Sequence, residues 1–266
     1  MFDDQYGPWA LIAGASEGIG AAFARQIAAH GVNLILVARK QSTLDELAAT
    51  IRADAGVEVR TASIDLTAPD VGQRVTAAAD GCDVGLLVYV AGARDHYAHL
   101  IDDPLDVTLR QVRLNCVGTV TLCHHFGAGM AARGRGGIIL VGSLAGLAGA
   151  AGIGVYSAGK AFDAALAEAL WYEMRPKGVH VLSLLAGATR TPAMERIGLV
   201  LDSPEYPVME PDDVAREGLE HLDDGPSWVA GDTNRASAAA VRSMPRRDAV
   251  EMMSFGSATS FGIAPT

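Results

Sequence analysis

Cysteine is scarce: Cys82, Cys116 and Cys123 are the three in 266 residues. An odd count with no zinc-ligand spacing excludes a disulfide framework and is the usage of a reducing cytoplasm. Aromatic residues make up only 6% and charged residues 20%, and the charge present leans acidic, with a formal net charge of −10. Such a surface repels phosphates and anionic lipid, so neither nucleic acid nor a membrane face is expected as a partner. No basic segment leading into an apolar one opens the chain; MFDDQYGPWALIAG begins acidic, unlike a secretory signal. The 24 residues without charge between Arg135 and Lys160 are broken by many glycines, Ser143 and Ser157. A membrane-spanning helix needs about 20 sustained apolar residues, so this stretch reads as a buried strand followed by an active-site loop. His124 and His125 stand beside Cys123, but adjacent helix positions point apart and cannot chelate one ion, so no metal is expected. No repeat of fixed period marks a solenoid.

What the chain does have is a 50% hydrophobic content and 30 glycines, which suit a core covered on both faces with many tight turns. Short β-branched apolar runs alternate with longer amphipathic stretches. Strands are predicted at Trp9–Ala13, Val32–Ala38, Val57–Ile64, Val84–Val90, Ile138–Gly142, His180–Leu185 and Trp228–Ala230. Helices are predicted at Ile19–His30, Thr43–Ala55, Asp70–Ala79, Asp106–Ala132, Tyr156–Arg175 and Pro211–Leu222. The alternation specifies an α/β, Rossmann-like, doubly wound three-layer fold with a parallel sheet of about seven strands. Residues 1–231 are expected to form one domain, including a loop at 189–210 carrying Pro192, Pro204 and Pro207. Residues 232–266 form a C-terminal tail, for which a partly disordered terminus and a cover over a substrate site both stay open.

Directly after the first strand comes Gly14-Ala15-Ser16-Glu17-Gly18-Ile19-Gly20, opening a helix. Glycines there permit a tight turn and let backbone amides approach a pyrophosphate, and the helix N-terminus favours the anion. The Gly-x3-Gly-x-Gly spacing, Asn115, Ser143 and Tyr156-x3-Lys160 together resemble the short-chain dehydrogenase/reductase family over about residues 7–231. Two departures accompany the likeness. Val90-Ala91-Gly92 stands where the family carries Asn-Asn-Ala-Gly, and Ala186-Gly187 where it carries Pro-Gly.

The resemblance implies an oxidoreductase that moves a hydride between a nicotinamide and a CH–OH or C=O carbon, acting as a homotetramer or homodimer. It implies that Asn115, Ser143, Tyr156 and Lys160 are catalytic. Cofactor contacts are implied at Gly14, Ser16, Glu17, Gly18, Ile19 and Gly20, at Asp65 and Leu66, at Ala91 and Gly92, at Tyr156 and Lys160, and at Gly187, Thr189 and Thr191. The four-residue step from Tyr156 to Lys160 puts both on one helix face. An unperturbed phenol, with a pKa of about 10, is a poor acid–base partner at neutral pH, and a neighbouring ammonium favours its phenolate. Tyr156 then protonates the developing alkoxide while Ser143 hydrogen-bonds the carbonyl oxygen, and Asn115 holds a water that relays protons to Lys160.

Cofactor choice rests on the end of the second strand. An acid there would accept the ribose hydroxyls of NAD and repel the extra phosphate of NADP. This chain has Ala38 followed by Arg39 and Lys40, with Ser16 nearby, so NADP(H) is favoured over NAD(H). An apolar small-molecule carbonyl or alcohol is expected as substrate, because Leu144, Leu147, Ile153, Met194, Ile197, Leu199 and Met209 flank the presumed pocket. Small residues at Ala161, Ala164, Ala165 and Ala169 suit helix packing between subunits. Two alternatives stand beside this reading. A 3-oxoacyl thioester reductase, like the acyl-carrier-protein reductases of the family, would need a basic docking patch, for which Arg133, Arg135, Arg190 and Arg196 are the candidates. A non-catalytic dinucleotide-binding sensor or scaffold would be expected to have a broken tetrad, and here the tetrad reads intact.

Overall fold

The computed structural model describes residues 1–92, 96–198 and 208–264. Leu199, Pro204, Pro207 and the last two residues of the tail lie outside the described residues. In chain order the elements are α1 (Phe2–Tyr6), β1 (Trp9–Ala13), α2 (Gly18–Ala29), β2 (Asn33–Ala38), α3 (Gln41–Ala55), β3 (Val59–Ser63), α4 (Val71–Ala78) and β4 (Val84–Tyr89). There follow α5 (Leu105–Val112), a π-helical segment (Arg113–Gly118), α6 (Thr119–Arg133), β5 (Gly136–Ser143), α7 (Gly154–Met174) and β6 (Val179–Ala186). The chain continues through α8 (Pro192–Arg196), α9 (Pro211–Glu220), β7 (Ser227–Val229), α10 (Asp232–Ser243) and α11 (Arg246–Ser260).

The seven strands form one sheet in the order β3-β2-β1-β4-β5-β6-β7, every neighbouring pair parallel. Central strands such as β1 and β4 are buried at every residue, which is why they read as unbroken apolar runs. Alternate side chains feed two cores. Ile12, Leu36, Val88 and Leu184 pack under Phe23 and Ile27 of α2, Leu44 of α3 and Val214 of α9. Leu11, Val37, Leu87 and Leu140 pack under Val75 of α4, Leu122 and Phe126 of α6 and Ala167 of α7. Each fully buried aliphatic side chain adds about 1.5–3 kcal/mol relative to exposure. Among the described residues no helix is long and apolar enough to cross a membrane; the uncharged stretch after Arg135 is β5, a tight turn and the start of α7.

One predicted element differs in kind. Asp106–Ala132 reads as a single helix in sequence, yet Arg113–Gly118 within it is π-helical. Side chains compete there for main-chain carbonyls: Asn115 Nδ2 donates to the Gln111 carbonyl at 3.0 Å, Thr119 Oγ1 to that of Asn115 at 3.0 Å, and the Tyr89 hydroxyl to that of Leu114 at 2.6 Å. Single π turns inside α-helices often mark functional positions. The tail residues form α10 and α11, which brace the loop after β5. Arg246 Nη1 donates to the Leu147 carbonyl at 2.8 Å, and the Ala151 amide to Ser254 Oγ at 3.0 Å.

Candidate active site

Strand order reverses between β1 and β4, so their following connections leave toward opposite faces and open a crevice at the carboxyl ends. A cleft of about 450 Å³ lies there, and residues from five of the seven βα connections line it. Its floor is the turn after β1. Gly14 has φ +96°, and a Cβ on it would stand 2.8 Å from the Ala91 amide nitrogen, so only glycine keeps the two strand ends in contact. Ser16, Glu17, Gly18 and Ile19 line the cleft with Gly14, while Gly20 is buried inside α2 and shapes the turn without facing the cleft.

At one end of the cleft stand Ala38, Arg39 and Lys40, with Thr43 on the first turn of α3. Arg39 and Lys40 are exposed. Next to them lie Asp65 and Leu66. Asp65 Oδ1 accepts from the Thr67 amide at 3.0 Å and its hydroxyl at 2.8 Å, and Oδ2 from Arg110 Nη2 at 3.0 Å. Burial pushes this carboxyl up, but the Thr67 hydrogen bonds with Arg110 and Arg39 outweigh it and hold the group below the usual range. Arg110 was invisible to sequence reasoning because it reaches Asp65 from 45 residues away.

At the other end, Ser143, Tyr156 and Lys160 converge on one wall, with Ala91, Gly92, Gly187, Thr189 and Thr191 around them. Ser143 closes β5, and its Oγ accepts from the Ala145 amide at 3.2 Å, leaving the hydroxyl proton free to point into the cleft. Lys160 is buried at 3% exposure and donates to the Val141 carbonyl at 2.7 Å and to Asp163 Oδ2 at 3.1 Å. Asn115 does not itself line the cleft. It sits behind Gly92, whose φ is +147°, and a Cβ there would fall 2.3 Å from Asn115 Oδ1 and 2.9 Å from Lys160 Nζ. Asn115 Oδ1 is buried without a protein partner, an orphaned acceptor beside an ammonium and suited to a bridging water.

The apolar positions divide. Met194 and Ile197 line the cleft, whereas Met209 packs into the core with Val214 and Ala215. Leu144 and Leu147 pack under the tail helices, Leu147 against Val241 and Ala249, with Met244 and Met253. Ile153 caps the start of α7. The expected docking arginines are not grouped at the entrance. Arg133 donates to the Val84 carbonyl and Arg135 to those of Asp4 and Gly7, at the amino end of the strands, opposite the cleft. Arg190 pairs with Glu210. Arg196 makes a two-pronged pair with Glu17, tying α8 to the Gly-rich turn. Arg133 and Arg135 precede β5 in the chain and so accompany its amino end, whereas the cleft opens at the carboxyl ends.

These residues fit a nicotinamide dinucleotide. The Gly-rich amides at the α2 N-terminus suit a pyrophosphate, Arg39 and Lys40 a phosphate, and the glycine-lined wall at Gly92 leaves room for a ribose beside Lys160. Among the described residues no group of three or more His, Cys, Asp or Glu is placed to hold a metal ion.

Comparison with known proteins agrees with this geometry. The short chain dehydrogenase family model matches residues 8–199. The 7beta-hydroxysteroid dehydrogenase of Collinsella aerofaciens is 34% identical over 242 residues, covering 88% of this chain and 90% of that protein. A solved 7beta-hydroxysteroid dehydrogenase structure superposes with a TM-score of 0.89 at 31% identity, over 95% of this chain and 98% of that one. A short-chain dehydrogenase from Sphingobium yanoikuyae in complex with NADPH superposes at 0.77 with 32% identity, over 88% and 92% of the two chains.

Proposed function

The chain belongs to the short-chain dehydrogenase family and is an oxidoreductase, and from that premise we propose an NADP(H)-dependent enzyme that interconverts a ketone and a secondary alcohol on an apolar substrate of hydroxysteroid type. The observation that carries this reading is the shared cleft, with Ser143, Tyr156 and Lys160 on one wall and Arg39 and Lys40 at the far end. The steroid preference draws on the relatives named above and on Met194 and Ile197 at the cleft mouth.

The bound nicotinamide supplies the two-electron chemistry. The chain's residues bind and manage the proton. Gly14, Ser16, Glu17, Gly18 and Ile19 hold the pyrophosphate through backbone amides, with Gly20 setting the turn. Arg39 and Lys40, helped by Thr43, hold the ribose phosphate. Asp65 and Leu66 would hold the adenine, and Ala91, Gly92, Gly187, Thr189 and Thr191 would hold the nicotinamide end. Ser143 donates a hydrogen bond to the substrate carbonyl oxygen and keeps its proton, while Tyr156 delivers the one proton that oxygen takes up as it gains charge. Lys160 favours the tyrosinate left behind, and a water on Asn115 Oδ1 returns the proton. Oxidation of the alcohol runs the same transfers in reverse.

The enzyme is read as cytoplasmic and as a homodimer or homotetramer. Ala161, Ala165 and Ala169 of α7 are exposed, with Ala164 half-buried beside them. Leu105, Val117 and Val120 on the neighbouring helix are 70%, 51% and 43% exposed.

The test is NADPH and NADH oxidation by the purified protein on ketosteroids, small ketones, aldehydes and 3-oxoacyl thioesters, with Tyr156→Phe beside it. Ketosteroid turnover with NADPH, reduced about 100-fold or more in Tyr156→Phe, is the expected result. Unchanged activity in the variant removes the acid–base assignment. A preference for thioesters transfers the chain to the acyl-reductase reading, and tight NADPH binding without turnover to a sensor.

A further inference from the structure

One buried acid has no part in the chemistry described above. Asp163, at 1% exposure, lies one turn beyond Lys160 on α7, and its Oδ2 accepts from Lys160 Nζ at 3.1 Å. Its Oδ1 accepts from Thr119 Oγ1 at 3.2 Å. The same hydroxyl reaches the Asn115 main-chain carbonyl at 3.0 Å. A hydroxyl has one proton, so Thr119 shares it between the carboxylate and the π-helical segment. Asp163 therefore touches Lys160 directly and Asn115 through one intermediary. Replacing a buried ion pair with apolar residues is often neutral or stabilising, so stability alone gives little account of this placement.

Building on the catalytic reading above, we propose that Asp163 is a positioning residue that acts through Lys160, fixing the ammonium and offsetting part of its charge, so that Lys160 draws the tyrosinate less strongly than a lone cation would. Two of the three ammonium protons are spent inward, on the Val141 carbonyl and on Asp163. That leaves one for the cleft, aimed by the other two.

The groups facing Asp163 leave Lys160 as its charged partner. From β4 comes Tyr89, from the π-helical segment Cys116 and from α6 Cys123. Burial first, and then Asp163 itself, pushes each of these upward, Cys123 to about 12, so all three stay neutral around pH 7. Burial lifts the Asp163 carboxyl above its ordinary range, and Lys160 and the Thr119 hydroxyl offset that rise only in part.

Tyr156 and Asp163 are seven apart on α7, roughly 10 Å of helix rise. At that separation a unit charge near a protein surface moves a titration midpoint by about one pH unit.

The experiment follows formation of the Tyr156 phenolate without needing a substrate. Ultraviolet absorbance of tyrosinate is titrated in the NADP⁺-saturated protein, with the Tyr156→Phe signal subtracted, and again in an Asp163→Asn background. Asparagine keeps a similar shape and hydrogen-bonding capacity but removes the charge. The proposal expects the Tyr156 midpoint to fall by about one pH unit, and the acid limb of alcohol oxidation to move with it. An unmoved midpoint overturns the proposal even where turnover confirms the enzyme, because a merely structural acid would lower kcat without shifting the titration. A shifted midpoint in a protein with no turnover on any substrate would uphold the charge role and defeat the catalytic reading instead. Thr119→Val covers the case in which Asp163→Asn does not fold. Loss of the hydroxyl favours protonated Asp163, so the midpoint falls in the same direction by less, and no movement overturns the proposal.

Discussion

On the proposed reading, a single side chain, Arg39, decides between the two dinucleotides. It is exposed at the end of the cleft, beside Lys40 and near Asp65, where a guanidinium meets a ribose phosphate at little desolvation cost. A hydrogen bond to a charged group contributes about 1.5–3 kcal/mol, so Arg39→Ala is expected to raise KM for NADPH by about 10- to 100-fold. KM for NADH and kcat with either cofactor should hardly change. Steady-state kinetics with both cofactors checks this, and an equal loss for NADH would place Arg39 away from the phosphate. Ser143→Ala removes one donor to the carbonyl oxygen and is expected to lower kcat by about 100-fold with little effect on NADPH affinity. Fluorescence titration of NADPH beside the kinetics separates the two. Residues of this kind were legible in sequence when a local rule fixed their partners. The four-residue step expects Tyr156 and Lys160 on one helix face, and both line the cleft, as do Gly14 and Gly18 of the strand-to-helix turn. Arg110 and Thr119 were not legible, because their contacts to Asp65 and Asp163 join distant parts of the chain.

At the scale of elements, the carboxyl-edge half of the fold is held by polar hubs as well as by packing. Glu217 of α9 accepts from Trp228 Nε1 at 2.9 Å on β7, from the Gly231 amide and from Arg235 Nη1 at 2.9 Å on α10. Burial raises this carboxyl, yet those donors outweigh it and leave the group below its ordinary range. A carboxyl lowered by folding adds stability above its unfolded pKa and loses it as pH falls through the folded value. Urea unfolding from pH 7 down to pH 3 should therefore lose stability in the wild type, and Glu217→Gln should lose less over the same span. At pH 7 the variant is expected to be about 2 kcal/mol less stable. An identical acid slope in both would remove Glu217 from the account. The seven strands and the helices α2, α3, α4, α5, α6, α7 and α9 were read from sequence, while α1, α8, the tail helices α10 and α11 and the π-helical segment were not. Apolar spacing reports which side of a helix is buried, but side chains capturing the Gln111, Leu114 and Asn115 carbonyls leave no trace in that spacing.

For the molecule as a whole, α5, the π-helical segment, α6 and α7 together carry several exposed apolar side chains. Leu105 and Tyr172 are each 70% exposed, and Val117 and Val120 stand between them in sequence. Assembly through this surface predicts that Val120→Glu combined with Ala165→Glu yields a monomer by light scattering, with Tyr156 and Lys160 unaltered in sequence. An unchanged oligomer would move the contact elsewhere. The doubly wound parallel sheet of seven strands followed from the alternation of strands and helices, while the strand order did not. The expected place of Arg133 and Arg135 was wrong as well, since residues that precede β5 accompany its amino end.

The braces from α10 and α11 also set an order of events during synthesis. The Leu147 carbonyl and Ala151 amide find Arg246 and Ser254 only 99 and 103 residues later. Among the described residues, by contrast, those that line the cleft run from Gly14 to Ile197. A growing chain thus completes its dinucleotide cradle while the rim beside Ser143 still lacks its support. A nascent protein of this design learns to hold its cofactor before it learns to choose its substrate.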